Sequence, residues 1–266
     1  MDILYLLILA IIQGLTEFLP VSSSGHLAMM PALTGSDDQG LLIDVAVHLG
    51  TLVAVILYFR ADVKSALLGL LDLARAQLTP RAELALMLII ATIPVVILGA
   101  VVAVLGWTDH LRNLWVIGSA MVVFGIVLYV MDQHRPMQRE MADLTRKDAI
   151  ALGLWQAVAL IPGASRSGMT IAGARARGFS RAEGARFAML MSIPTIIASG
   201  VLVGAQTVAE GNWSDLGAAS LAALFACISG LLALRLMMHF LTRYSFTPYV
   251  IYRILLGVIL LWLAAS

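Results

Sequence analysis

Cysteine is nearly missing from this chain: Cys227 is the sole thiol in 266 residues. An intrachain disulfide is therefore excluded, and a thiolate metal site has no second ligand. Charge is scarce as well. Asp, Glu, Lys and Arg make up 12% of the residues, where a soluble domain carries roughly 25%. Neither sign dominates, since 17 basic residues face 16 acidic ones, so nothing favours a nucleic-acid partner. The start, "MDILYLLILA", has Asp2 where a signal peptide would be basic, and no small-residue cleavage site follows. No cleavable signal is expected.

What fills the space is apolar: 61% of the chain is hydrophobic, in long uncharged runs. Hydrocarbon is the solvent these runs require. Spanning helices are expected at about 42–59, 84–106, 114–131, 182–208, 216–238 and 248–264, each close to the ~20 residues that cross a bilayer core. Residues 2–19 and 148–161 behave differently. Each apolar run is cut by a proline and a Ser/Gly cluster, and a second short apolar piece follows. Broken helices at membrane depth are tolerated where they line a cavity or are covered by protein. Both are expected to be re-entrant hairpins; the bland alternative is an ordinary span with a proline kink.

The basic residues test this. Of the 17 basic residues, all but Arg112, Arg166 and Arg253 fall in the 60–83 loop, the 132–147 loop, the stretch 175–186 or the region after 234. They share one side only if 2–35 and 148–178 each enter and leave by the same face. One hairpin then enters from outside and the other from the cytoplasm, with both termini outside. An offset of 143 residues superposes Gln13 on Gln156, Ser22 on Ser165, Ser24 on Ser167 and Gly25 on Gly168. Paired interruptions in two halves point to a midplane site. The expected fold is therefore all-α: a polytopic membrane protein of about six spanning helices plus two re-entrant helical hairpins. It is one integral domain over 1–266, with inverted repeats roughly at 1–131 and 148–266 and a cytoplasmic linker at about 132–147.

Two decapeptides carry the polar chemistry, "EFLPVSSSGH" (Glu17–His26) and "IPGASRSGMT" (Ile161–Thr170). Gln13 and Glu17 share a helical face. A carboxylate at membrane depth costs about 2.5–3.5 kcal/mol or more, which marks it as functional by default. With an amide oxygen beside it, it suits a hard cation, Mg²⁺ or Ca²⁺, whose shell water and substrate phosphate would complete. A Glu bonded to a neighbouring helix is the plain alternative. Ser22, Ser23 and Ser24 on their own would be back-bonded helix serines, but His26 falls one turn on, within reach of a hydroxyl. Arg166 follows Ser165, which can cap a helix. A helix start and a guanidinium both bind oxyanions, although a structural pair with Glu17 would also use the arginine.

Together these stretches closely resemble the undecaprenyl-diphosphate phosphatase family, the integral membrane type linked to bacitracin resistance. The likeness runs through "QGLTEFLPVSSSGH" at Gln13–His26, "DVAVHLGTLVAV" at Asp44–Val55, "PGASRSGMT" at Pro162–Thr170 and "YSFTPYVIYR" at Tyr244–Arg253. It implies release of the terminal phosphate from a C55 isoprenyl diphosphate in the bacterial cytoplasmic (inner) membrane. That would regenerate the carrier lipid of cell-wall synthesis with help from a divalent cation. The family's functional positions fall on Glu17, Ser23, His26, Ser165, Arg166 and Thr170. By this resemblance Arg166, with Ser22, Ser165, Ser167 and Thr170, would hold phosphate. Glu17 and Gln13 would place the metal, and His26 would move a proton. Attack by Ser23 and attack by a water that it positions are both compatible with the residues. Position 13 is Gln where the family also uses Glu, which leaves fewer charges for a metal. His48 suits helix packing at least as well as a site role. The expected partners are the lipid diphosphate and membrane lipids, without nucleic acid, and a homodimer is compatible with this.

Two rivals fit less well. A phosphatidic-acid-phosphatase-type enzyme needs a histidine where Ala172 stands, and its upstream basic motif is missing. A transporter that flips a phospholipid carrier would share the inverted repeat and bind the phosphate without cleaving it.

Overall fold

A computed structural model of the chain describes residues 3–34, 40–107, 111, 113–134, 137–210 and 216–265. Arg112, Arg135 and most of the 107–113 and 209–215 connections lie outside the described residues. Among the described residues the protein is all-α, without a β-strand. Six helices are long and apolar enough to span a membrane. They are α3 (Leu41–Tyr58), α5 (Pro80–Val104), α6 (Leu114–Gln133), α9 (Arg181–Glu210), α10 (Leu216–Leu241) and α11 (Thr247–Ala265). The spanning part of α9 is Arg181–Val201. All six match the spans expected from the sequence.

The two interrupted segments are each a pair of short helices. α1 (Ile3–Phe18) is followed after a break by α2 (Ser23–Thr34), and α7 (Arg146–Val158) by α8 (Arg166–Ala176). At 1.5 Å per residue these helices run about 17–24 Å, short of a ~30 Å hydrocarbon core.

One element was not anticipated. The 60–83 connection contains α4 (Arg60–Ala74), too polar to span, with Leu67, Leu70 and Leu71 exposed along it. It turns back onto the start of α5. Gly69 permits this approach, because a Cβ there would lie 2.0 Å from the Arg81 carbonyl oxygen. Buried Asp72 closes the turn by accepting from Thr79 Oγ1 at 2.6 Å and Arg81 Nε at 2.5 Å.

Polarity runs inside out. Ile93 and Ile97 of α5, Val123 and Ile126 of α6, and Leu224, Ile228 and Leu232 of α10 face outward at helical spacing. Gln13, Asp132, Asp148, Gln156, Arg175 and Arg253 are buried. That distribution suits hydrocarbon, where polar groups must find partners within the protein. Helices meet through small residues, as close backbone approach demands. A Cβ on Gly50 of α3 would sit 2.1 Å from the Ala223 carbonyl oxygen of α10, and Gly118 of α6 opposes Gly257 of α11.

Ion clusters gather several helix ends. Asp132, at the end of α6, accepts from Arg175 Nε at 3.0 Å, Arg181 Nε at 2.8 Å and the Phe246 amide at 3.2 Å. Asp148, in the first turn of α7, accepts from Arg177 Nε at 2.6 Å and Arg139 Nη2 at 2.6 Å. Since Arg177 caps the end of α8, this bond brings the end of α8 to the start of α7. The start of α1 packs elsewhere, through Tyr5, Leu6 and Leu9 against Met30 of α2 and Ala219 and Ala222 at the start of α10.

Candidate active site

The two breaks share a construction. α1 ends at Phe18, Pro20 interrupts the chain, and Ser22 takes φ 73° before α2 begins at Ser23. In the other hairpin Gly163 takes φ 91° and Ser165 φ 70° before α8 begins at Arg166. Left-handed φ is unfavourable for a serine, yet it occurs at both positions related by the 143-residue offset. The side chains repeat as well. Ser22 Oγ lies 3.1 Å from Ser24 Oγ, and Ser165 Oγ 3.2 Å from Ser167 Oγ.

The breaks also hold each other. Ser24 Oγ accepts from the Gly163 amide at 3.1 Å, and Ser167 Oγ donates to the Leu19 carbonyl at 3.0 Å. Beneath both lies Arg253 of α11, wholly buried. Its Nη2 donates to the Gly163 and Ala164 carbonyls at 2.9 Å each, and Nη1 reaches the Pro20 carbonyl at 3.4 Å.

Glu17 stands at the meeting point. Its Oε1 accepts from Arg166 Nη2 at 2.5 Å. Its Oε2 accepts from Ser23 Oγ at 2.9 Å and Gln13 Nε2 at 2.9 Å. Three expected site residues, Gln13, Ser23 and Arg166, thus bond to the fourth, Glu17. Glu17 is buried while Ser23 and Arg166 are half-buried and Ser24 is exposed, so the cluster opens on the serine side.

The other expected residues sit behind this contact layer. Ser165 Oγ caps α8 by accepting from the Gly168 amide at 3.1 Å. Thr170 Oγ1 donates to the Arg166 carbonyl at 3.0 Å. Ser22, Ser165, Ser167 and Thr170 are all buried, and their contacts shape the helix starts. His26 is oriented away from the serine hydroxyls. Its Nδ1 donates to the Ser22 carbonyl at 2.7 Å, and its Nε2 accepts from Tyr252 Oη at 2.7 Å.

Sequence reasoning missed Tyr252 and set His48 aside. Tyr252 stacks with His26, with ring planes 9° apart. His48 Nε2 lies 3.2 Å from Gln13 Nε2 and 3.9 Å from Glu17 Oε2. The only sequence signal for either was membership of the "VHLG" and "VIYR" stretches.

Charge and shape together favour an anion. The contact layer holds one carboxylate against Arg166, while among the described residues Arg253 hydrogen-bonds to carbonyls and its buried Nε finds no partner. Two helix N-termini, at Ser23 and Arg166, converge on the same place, and each carries positive potential. For a cation, Glu17 and the buried Gln13 Oε1, which has no hydrogen-bond partner among the described residues, form a hard oxygen set. Among the described residues no three His, Cys, Asp or Glu side chains cluster as metal ligands, so phosphate oxygens would have to complete such a shell.

These features define a class: a multi-pass membrane protein with a buried polar centre where two broken helices meet. Residues 6–259 match the family model described as "Bacitracin resistance protein BacA", and the chain belongs to that family. It is 55% identical to a protein of Ruegeria pomeroyi named undecaprenyl-diphosphatase, over the whole of both chains. It is 54% identical, again over both whole chains, to one of that name from Dinoroseobacter shibae. A third, from Saccharophagus degradans, is 42% identical over 97% of this chain and 96% of its own.

Proposed function

We propose that this protein is a membrane phosphohydrolase that removes the terminal phosphate of undecaprenyl diphosphate, leaving the monophosphate carrier lipid used in cell-wall synthesis. The observation that carries this is the contact of Ser23 and Arg166 with the same carboxylate, Glu17. The names of the relatives support the substrate.

In the free site Arg166 is spent on Glu17. An arriving diphosphate competes for the guanidinium, whose planar fork matches two phosphate oxygens. Arg166 then clamps the terminal phosphoryl group, and Glu17 is released from its ion pair. Its Oε2, already accepting from Ser23 Oγ, takes a proton as an oxygen nucleophile attacks phosphorus. That nucleophile is Ser23 Oγ or a water it positions. The bond broken joins the terminal phosphorus to the bridging oxygen, which leaves on the lipid monophosphate. In the Ser23 route a water then cleaves the phosphoserine. The helix starts at Ser23 and Arg166 stabilise the charge that develops. A divalent cation, Mg²⁺ or Ca²⁺, held by Glu17 and Gln13 would offset phosphate charge and polarise the phosphoryl oxygens. His26, backed by Tyr252, supplies the second proton-transfer group.

The protein is placed in the bacterial inner membrane with both termini outside. α1–α2 enters from outside and α7–α8 from the cytoplasm, as paired re-entrant hairpins of an inverted repeat within one domain. The basic-residue bias, the Asp148–Arg177 clasp and the matching strain at Ser22 and Ser165 support this. Phosphate release from undecaprenyl diphosphate by the purified protein in detergent is the test. A flippase would release none, because detergent leaves no second compartment to move lipid into.

A further inference from the structure

His48 lies on α3, outside both hairpins, and the chemistry above does not use it. Its own helix orients it: Nδ1 is 2.7 Å from the Asp44 carbonyl oxygen. A carbonyl only accepts, so Nδ1 carries the proton, and in the neutral ring Nε2 keeps its lone pair. That lone pair points at Gln13 and Glu17. The Gln13 amide nitrogen lies between them, donating to Glu17 Oε2 at 2.9 Å and to His48 Nε2 at 3.2 Å. Two lone-pair acceptors, 3.9 Å apart, are thus bridged by the positive end of an amide, while the amide's own oxygen is buried with no partner among the described residues. A cation satisfies all three atoms together. It takes the place of the bridging N–H groups, and turning the amide over brings its oxygen to the same point.

We propose that His48 Nε2 is a ligand of the divalent cation, alongside a Glu17 carboxylate oxygen and the Gln13 amide oxygen, with diphosphate oxygens completing the shell. This deepens the phosphohydrolase assignment and rests on it. Two ligand atoms each about 2.1 Å from one ion lie about 3–4 Å apart, depending on the angle between them. The present 3.9 Å therefore needs little adjustment. A ring N–H held by a backbone carbonyl is the usual arrangement behind a metal-bound histidine, since it fixes the tautomer and makes the other nitrogen more basic. His48 is also placed to be reached. Its side chain is 37% exposed against 7% for Glu17, so it forms the open wall of a site that the buried Gln13 closes from behind. The consequence is selectivity. Ca²⁺ and Mg²⁺ favour oxygen shells, whereas an imidazole raises the relative affinity for Mn²⁺ and later divalent metals.

Pulsed EPR on Mn²⁺ bound to the full-length protein in detergent, with methylenediphosphonate as the diphosphate probe, detects directly whether a ¹⁴N nucleus is coordinated. The wild type should show imidazole ¹⁴N coupling. His48→Gln should lose that coupling and weaken Mn²⁺ binding at least tenfold, and His26→Gln should keep it. Thermal unfolding of each variant verifies that it is folded. Mn²⁺ that binds without ¹⁴N coupling, coupling that survives in His48→Gln, or no Mn²⁺ binding even with diphosphonate would each overturn the proposal. Phosphate release by the wild type is measured on the same preparation. Release without ¹⁴N coupling removes only His48 from the shell, whereas absence of release removes the phosphohydrolase assignment.

Discussion

Arg166 and Glu17 are 149 positions apart, on separate hairpins, yet the guanidinium Nη2 lies 2.5 Å from the carboxylate Oε1. Each break contributes one charge, and the two charges are paired only where the breaks meet. The pair is therefore a latch of the fold and, in the proposed mechanism, also the reagent of the site. A buried pair stripped of one partner loses about 3–5 kcal/mol, so activity and stability must be read together for any substitution here.

Arg166→Lys should keep the fold, because an ammonium still neutralises Glu17, but it should lose most of the activity. A point charge on a flexible stem cannot hold two phosphate oxygens in one plane, and loss of a preorganised donor typically lowers rate by about 10²–10³. Turnover at saturating substrate, compared with the thermal midpoint, separates the two effects. Wild-type turnover in Arg166→Lys would reduce the arginine to a structural latch.

Glu17→Gln should behave differently. The amide no longer competes for Arg166, so at saturating divalent cation KM for the lipid diphosphate should stay level or fall while kcat drops by about 10²-fold or more. A rise in KM with kcat preserved would mean that Glu17 positions substrate rather than accepting a proton.

Tyr252→Phe removes one hydroxyl and keeps the ring stacked on His26. If the phenol orients the imidazole and carries its proton, kcat should fall about tenfold or more, with the thermal midpoint almost unchanged. His26→Gln in the same background should add little, since two groups acting in series are not additive. Multiplicative losses in the double variant would show that His26 and Tyr252 act separately.

Much of this was legible in the residues, for reasons that also explain what was not. Glu17 and Arg166 announced themselves because an ionised group in an apolar run is costly and needs a function or a partner. The breaks were readable from Pro20 and Pro162 because each stands beside a Ser/Gly cluster; a proline alone does not end a span, as Pro94 of α5 and Pro194 of α9 show. Tyr252 and His48 sit on ordinary spans, where one polar tip on an apolar face raises no alarm. Only tertiary packing turns them towards His26 and Gln13. α4 was hidden because its polar residues resemble those of a loop, and its approach to α5 depends on Gly69 meeting a carbonyl far along the chain. Arg175 and Arg181 served as signals of orientation, whereas in the folded protein they converge on buried Asp132.

The topology has its own test. In a Cys227→Ser background, single cysteines placed within 137–147 should resist a membrane-impermeant maleimide in intact cells, and those placed within 211–215 should react. Labelling of the 137–147 positions with protection of 211–215 would invert the orientation. Labelling of both would remove at least one re-entrant hairpin, because an ordinary span in place of α7–α8 would carry the later loop to the other face.

The Asp148 clasp should set acid stability. Burial pushes this carboxyl's pKa up, but hydrogen bonds from Arg139, Thr145 and Arg177 more than offset that and hold it below the usual carboxylate range. A carboxylate whose folded pKa is depressed contributes stability above its unfolded value, about 3.9, and loses it as pH falls towards the folded value. Asp148→Asn should therefore lower the thermal midpoint at pH 6–8 by an amount that barely varies with pH. The loss should correspond to about 3 kcal/mol, the low end for a broken buried pair, because both arginines keep access to water. Below about pH 4 the gap between wild type and variant should narrow, because the unfolded chain then takes up a proton at this carboxyl while the folded protein resists it. A gap that stays constant down to pH 3 would show that the carboxylate's charge contributes nothing, leaving α7 and α8 joined by packing alone.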